Sequence, residues 1–468
     1  MRTQKEMSKP LAVYVLLLTF TQACWSESIS SIYDLALKND PVMKAARANL
    51  KVGEETENIS KSRLLPSLSS SADYTESERN SSASQVYSFI SADPFLSRSF
   101  SDTQTTSYGI SLNQAVFDLP AWYQFKSGKA LSASAQAQFA SDQQTLIIRV
   151  TNAYLSVLRA FDNNETRKAE QRAIFRQLEQ TKERFEVGLL PITDVHEAQA
   201  IFDDASVNTL EAKGALNIAF DNLEVLTGKR YDNLSGLSDN FLAENPNPVD
   251  SSSWVAFALQ NNFDIKIAKF GKDASYNQAK AAASELYPRL TASARYSDSD
   301  TDGSQISYLP SESSSNISSL NDGHSINLSF SMPIWSSGLN ASSRQAKQRA
   351  IASDESYEAV KRTTAQNARA QHQLVITNAA RVKARSQAIT SAESALNATQ
   401  AGYEVGTRNI VDVLSAQRAL FQAKRNYANS KYDYIYAMMS LKQVAGQLSP
   451  DDIYQLNARL DPKIQVIR

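Results

Sequence analysis

The chain has one cysteine, Cys24, among 468 residues. That excludes a disulfide framework and a cysteine metal centre. The three histidines, His196, His324 and His372, stand far apart, and none has a second His or Cys at ligand spacing. No metal site is expected from them. Neither sign of charge is in excess: 48 basic and 49 acidic residues leave a net charge of -1, which gives no ground for a nucleic-acid partner. A G-x-x-x-x-G-K-[ST] phosphate loop and a G-x-S-x-G nucleophile elbow are both missing. No enzyme and no cofactor are expected, and energy for any transport would have to come from partners. No segment offers 18 consecutive apolar residues. An integral membrane role would therefore rest on β-strands. Proline is missing from 121–190 and from 334–449, which leaves room for very long helices.

The N-terminus reads as an address label. Arg2, Lys5 and Lys9 precede an apolar stretch from Leu11 to Phe20, and Thr21-Gln22-Ala23 offers a small residue before a cut. Residues 1–25 are read as a secretory signal peptide. Cys24 sits where a lipid-modified cysteine would, although Thr21 stands where bacterial lipoproteins usually carry leucine. An unmodified or removed residue fits the same place.

The remaining chain is internally duplicated. Phe185-Glu186-Val187-Gly188 and Ile192-Thr193-Asp194-Val195 recur as Tyr403-Glu404-Val405-Gly406 and Ile410-Val411-Asp412-Val413, 218 positions on. Leu65-Pro66-Ser67-Leu68 recurs as Tyr287-Pro288-Arg289-Leu290, 222 positions on. Such a period implies two structural repeats, over 26–228 and 254–446, with a linker at 229–253 and a C-terminal segment at 447–468. Each repeat begins with one helix, from Ser28 to about Arg63 and from Ser251 to about Leu286. A β-hairpin follows, within 64–118 and 287–335. Ile326, Leu328, Phe330, Met332 and Ile334 alternate with polar residues, the period of a strand. Strands of about ten residues are expected, joined by polar loops at about 75–107 and 297–325. Long coiled-coil helices complete each repeat. Val413, Leu420, Tyr427, Tyr434 and Leu441 are spaced by seven, and Ile147, Val150, Tyr154, Val157 and Phe161 step by three and four.

Both Gly188 and Gly406 mark a long helix, a short turn and a second helix. Four membrane strands cannot close a barrel, because open edges in lipid leave backbone groups unpaired. Two chains would give a filled eight-stranded barrel, and three give twelve strands with a bore. The expected fold is therefore a homotrimer. It has a transmembrane antiparallel β-barrel of 12 strands, four per chain, and an all-α coiled-coil barrel of 12 helices.

In these residues, from Ile32 to about Leu456, the chain resembles the TolC-type outer-membrane efflux channels. Asp142 to Ile147, Ile192 to Val195 and Tyr403 to Val413 carry the likeness. The resemblance implies an outer-membrane channel-tunnel with a long periplasmic extension. It would be an exit duct for multidrug efflux, hence antibiotic resistance, and/or type I protein secretion. A periplasmic membrane-fusion adaptor and an inner-membrane efflux pump or ABC exporter would open its periplasmic tip. It also implies a latch, with Tyr403 and Arg408 as donors to Asp194 and Thr193, and a link from Gln177 to Gln400. Where the family carries glutamate at that last position, this chain has glutamine, a weaker partner. Asp412 matches a ring of carboxylates that would attract cations. Ser415 stands where a second ring aspartate would. Asp412 and Asp194 also fall in first helical turns, where the helix dipole alone favours an acid. A structural or adhesive coiled-coil envelope protein without a pore is the alternative, and single-channel conductance would exclude it.

Overall fold

The computed structural model describes residues 27–85, 95–238, 241–309 and 311–468. The leader expected over 1–25, with Cys24, lies outside them. The first half of the chain runs α1 (Ile29–Asn39), α2 (Pro41–Ser62), β1 (Ser67–Gln85), β2 (Phe95–Phe117), α3 (Leu119–Glu186), α4 (Ile192–Thr227) and β3 (Asn233–Leu237). The second runs α5 (Ser251–Asn261), α6 (Phe263–Ser284), β4 (Arg289–Leu309), β5 (Ser311–Ser331), α7 (Ser337–Glu404), α8 (Ile410–Val444), α9 (Pro450–Asn457) and β6 (Leu460–Ile467).

The single helix expected at the start of each repeat is in fact a pair. Asp40 ends α1 and caps α2, its carboxylate accepting the Met43 amide at 3.2 Å. That carboxylate is buried and is met by both terminal nitrogens of Arg149, at 2.8 and 3.3 Å. In the second repeat Asn262 takes the same place. Its side chain accepts the Asp264 and Ile265 amides and donates to the Val444 carbonyl. An Asp or Asn that offers a backbone amide a better partner than the continuing helix breaks it there.

The strands are also longer than expected, 19 to 23 residues. They form one antiparallel sheet in the order β1-β2-β4-β5. The segments read as polar loops are largely paired strand. A hairpin ladder satisfies the backbone without apolar side chains, and hydroxyls and amides bond across it: Ser69 to Ser111 at 2.8 Å, Thr105 to Thr301 at 3.1 Å, Gln305 to Ser99 at 3.1 Å.

Register places Leu68, Leu112, Leu290 and Phe330 on one face, with Ile110, Tyr296, Ile326 and Leu328. Serine, threonine and asparagine, together with Asp73, Arg289 and Arg295, fill the other. Along β4 the apolar face changes character after Tyr296, where Asp298, Asp300 and Asp302 take the same-facing positions. Leu290 to Tyr296 rises about 20 Å. An apolar band bounded by aromatics and then by charge is what a lipid-facing strand shows. Among the described residues no helix is long and apolar enough to cross a membrane.

Below the sheet α3 and α7 run the full length of the helical body, 68 residues each. At about 1.5 Å per residue that is roughly 100 Å. Near the sheet the lateral order is α2-α3-α6-α7, and farther away α4-α3-α8-α7. The upper α2–α3 seam is tight because small residues meet: a Cβ on Gly128 would collide with Ser60, and one on Gly53 with Ala135. The core is divided in two. A large cluster around Tyr154, Phe220, Ile32 and Leu441 holds α1, β3, β6 and α9 against the middle of α3 and the ends of α4 and α8. A smaller one, with Ile174, Leu178, Ile410 and Leu414, closes the far end.

Candidate functional site at the two tips

The far end is built from two helical hairpins. α3 ends at Gly188, whose φ of +77° is a left-handed conformation that suits glycine. The Leu189 amide returns to the Arg184 carbonyl, and the Gly188 amide to that of Phe185, both at 2.9 Å. α7 ends the same way at Gly406, φ +78°. There the Thr407 amide returns to Gly402 at 2.8 Å and the Gly406 amide to Tyr403 at 3.1 Å. Both are Schellman closures, which satisfy the last carbonyls and turn the chain sharply.

The following helices start differently. α4 begins after Pro191 with no side-chain cap. α8 begins with a reciprocal capping box between Asn409 and Asp412. The Asp412 amide donates to Asn409 Oδ1 at 2.8 Å, and the Asn409 amide to Asp412 Oδ2 at 3.4 Å. Arg408 Nη1 lies 3.8 Å from the same Oδ2, with the two side chains 61% and 40% exposed. So open a pair contributes little, at most about 1 kcal/mol. The Arg408 amide joins Thr407 on the Gly402 carbonyl, and a Cβ on Gly402 would touch Arg408 Cγ.

Tyr403 is 8% exposed in the small core with Ile410, Val413 and Leu414. Its hydroxyl is buried and finds no hydrogen-bond partner among the described residues. Within one chain Tyr403 and Arg408 are thus not bonded to Asp194 or Thr193. The Thr193 hydroxyl instead donates to Asp194 at 3.3 Å. Gln177 is half-buried on α3, Gln400 is exposed on α7, and the two share no hydrogen bond. Ser415 is exposed, one turn along α8 from Asp412.

Two features have no counterpart in the sequence patterns. The Arg184 guanidinium of α3 stacks 4.9 Å from the centroid of the Tyr403 ring. Further up, Arg425 of α8 meets Glu170 of α3 at 2.6 Å, both nearly fully buried, while Arg167 approaches the same carboxylate oxygen at 3.1 Å. Burial pushes the Arg425 guanidinium below its ordinary range, and Glu170 restores part of the loss. This trio lines a polar cavity of about 490 Å³ between α3, α4 and α8, shared with Asp204, Arg418 and Gln422. The partners lie 255 positions apart, so no local motif announces them.

The family model of the outer membrane efflux protein matches residues 32–229 and 254–447. The chain is 33% identical over 452 residues to the outer membrane protein TolC of Vibrio cholerae serotype O1, covering 96% of this chain and 98% of that one. To the outer membrane protein TolC of Escherichia coli K12 it is 31% identical over 460 residues, covering 97% and 89%. The crystal structure of the Campylobacter jejuni CmeC outer membrane channel superimposes with a TM-score of 0.71 at 17% identity, covering 93% of this chain and 90% of that one. A lipid-ready sheet on a long helical body, repeated along the chain, is thus the build of a known group, and this chain belongs to the outer membrane efflux protein family of the bacterial outer membrane.

Proposed function

We propose that three copies of the chain close into one exit duct for efflux or secretion across the outer membrane. The observation that carries this reading is the sheet: four strands, one apolar face, and two outer edges, on β1 and β5, with no partner strand among the described residues. Unpaired edges in lipid cost several kcal/mol per backbone group, so the sheet needs further copies. The helical layer is open in the same sense. α4 stands at its edge and exposes Val207, Leu210, Ile218 and Val225 along one stripe. Both open edges repeat once per chain, which suits head-to-tail closure into a ring. Twelve strands leave a bore, whereas eight would be filled by side chains.

In this reading the crossover at 229–253 and the tail at 447–468 make a collar around the middle of the helical body, and the pairing of β3 with β6 supports it. The two tips form the periplasmic aperture. Asp412 lines it; Arg408, Asp194, Thr193, Gln177 and Gln400 set its closed state across chain boundaries; and Tyr403, buried in the small core, holds the second tip within its own chain. Arg408 is exposed and loosely paired within the chain, which leaves it available to an acid of a neighbouring chain. The relatives include the alkaline protease secretion protein AprF of Pseudomonas aeruginosa, 28% identical over 439 residues. A periplasmic adaptor and an inner-membrane pump or exporter are the partners this suggests.

The test is purification from outer membranes, with the oligomer mass and the single-channel conductance in planar bilayers as readouts. A trimer with a discrete, cation-selective conductance is expected. A monomer, or a chain without conductance, would refute the duct.

A further inference from the structure

We infer that Arg184 is a positioning residue of the aperture: its guanidinium, stacked on Tyr403, clasps the second tip to the first. Four observations carry this. Arg184 is in the last turn of α3 and Tyr403 in the last turn of α7, so the contact joins the ends of the two repeats. The guanidinium carbon lies 4.9 Å from the ring centroid, well within the range of a cation–π attraction. Arg184 has no ion pair among the described residues, so its charge is not spent elsewhere. The Tyr403 hydroxyl is buried without a partner among the described residues, which leaves the ring face as the part of Tyr403 with a specific polar contact.

The consequence follows from the Schellman closure of α7. The Tyr403 carbonyl accepts the Gly406 amide, and the neighbouring Gly402 carbonyl accepts the Thr407 and Arg408 amides. Fixing the Tyr403 ring therefore fixes the turn that carries Arg408 and leads into Asp412. A tip with a free Tyr403 would lose its reference against α3.

Proposing a role in the aperture rests on the duct reading, while the stack itself does not, so two readouts are used on the full-length protein. The first is hydrogen exchange at the amides of Gly406, Thr407 and Arg408 in detergent. Arg184→Gln should speed it about two- to five-fold, the span of an exposed cation–π contact. Arg184→Lys, which keeps the cation, should restore most of the protection. In a Tyr403→Leu background Arg184→Gln should change nothing further, because the partner ring is already gone. The second readout is conductance, which Arg184→Gln should raise and Arg184→Lys leave near the parent value. If exchange responds as expected and no variant conducts, the clasp stands and the duct fails. Unchanged exchange in Arg184→Gln, or an equal further increase in the Tyr403→Leu background, overturns the clasp even when the parent protein conducts.

Discussion

Breaking the buried contact between α3 and α8 should cost unequal amounts depending on which partner is removed. Glu170 and Arg425 have side chains only 5% and 7% exposed. Glu170→Leu leaves the Arg425 cation buried, with Gln422 at 2.9 Å as its remaining partner. Removing one partner of a buried pair costs about 3–5 kcal/mol. Arg425→Met is milder, because Glu170 keeps Arg167 at 3.1 Å. The loss is then nearer one charged hydrogen bond, about 1.5–3 kcal/mol. Replacing both at once removes the stranded charge and should recover most of the loss. Hydrogen exchange along α8 between Gln417 and Ala428 reads this directly, since the segment opens as a local unit. The first variant should exchange about two to four orders of magnitude faster, the second roughly ten- to a hundred-fold, the double variant least. Equal acceleration by the two single variants would refute the reasoning, as would a double variant as fast as Glu170→Leu.

Arg408→Ser should raise single-channel conductance by loosening the closed aperture, and unchanged conductance would remove Arg408 from it. Gly406→Ala meets no neighbour within 4 Å, so its cost is the left-handed backbone alone, about 1–2 kcal/mol; trypsin cleavage after Arg408 should speed about five- to thirty-fold. Ser415→Asp should add a second carboxylate ring and strengthen block by multivalent cations, and equal block in parent and variant would refute the expectation that serine at 415 weakens cation binding at the tip.

Much of the architecture was legible because it is periodic. The alternation from Ile326 to Ile334 marks a strand with one apolar face, and register confirms Ile326, Leu328 and Phe330 on it, while Met332 and Ile334 lie past its end at Ser331. Tyr154, Val150 and Val157 are fully buried along the three-and-four step. The breaks at Asp40 and Asn262 were not seen, because an acid or amide within an Ala- and Lys-rich run signals a break only when a tertiary partner such as Arg149 or Val444 holds it there. The extra strand length was hidden for another reason. Beyond Tyr296 the sheet face is acidic and the hydropathy period is lost, while backbone pairing continues to Leu309. At the tips the glycines and Asp412 were readable as repeated strings. Arg184 on Tyr403 and Glu170 with Arg425 were not, since each joins the two repeats at a distance no sequence pattern encodes.

The duplication produced two tips from one ancestral string, and they are now unequal. The first begins its return helix at Pro191 without a side-chain cap, and among the described residues its Asp194 carboxylate is met by the adjacent Thr193 hydroxyl. The second has a reciprocal cap, three donors on the Gly402 carbonyl, and a buried aromatic under the first tip's arginine. An N-cap contributes about 1 kcal/mol, so the second tip is the better ordered of the two. Asp412 is therefore committed twice. Its carboxylate closes the capping box, and in the proposed duct it would also stand where a ring of acids meets cations. These roles do not compete for the same atom, since the cap and Arg408 both engage Oδ2. A residue held by its own helix can present its other oxygen at a fixed place. In the proposed duct the capping role would hold this 40% exposed carboxylate at the position that a ring requires.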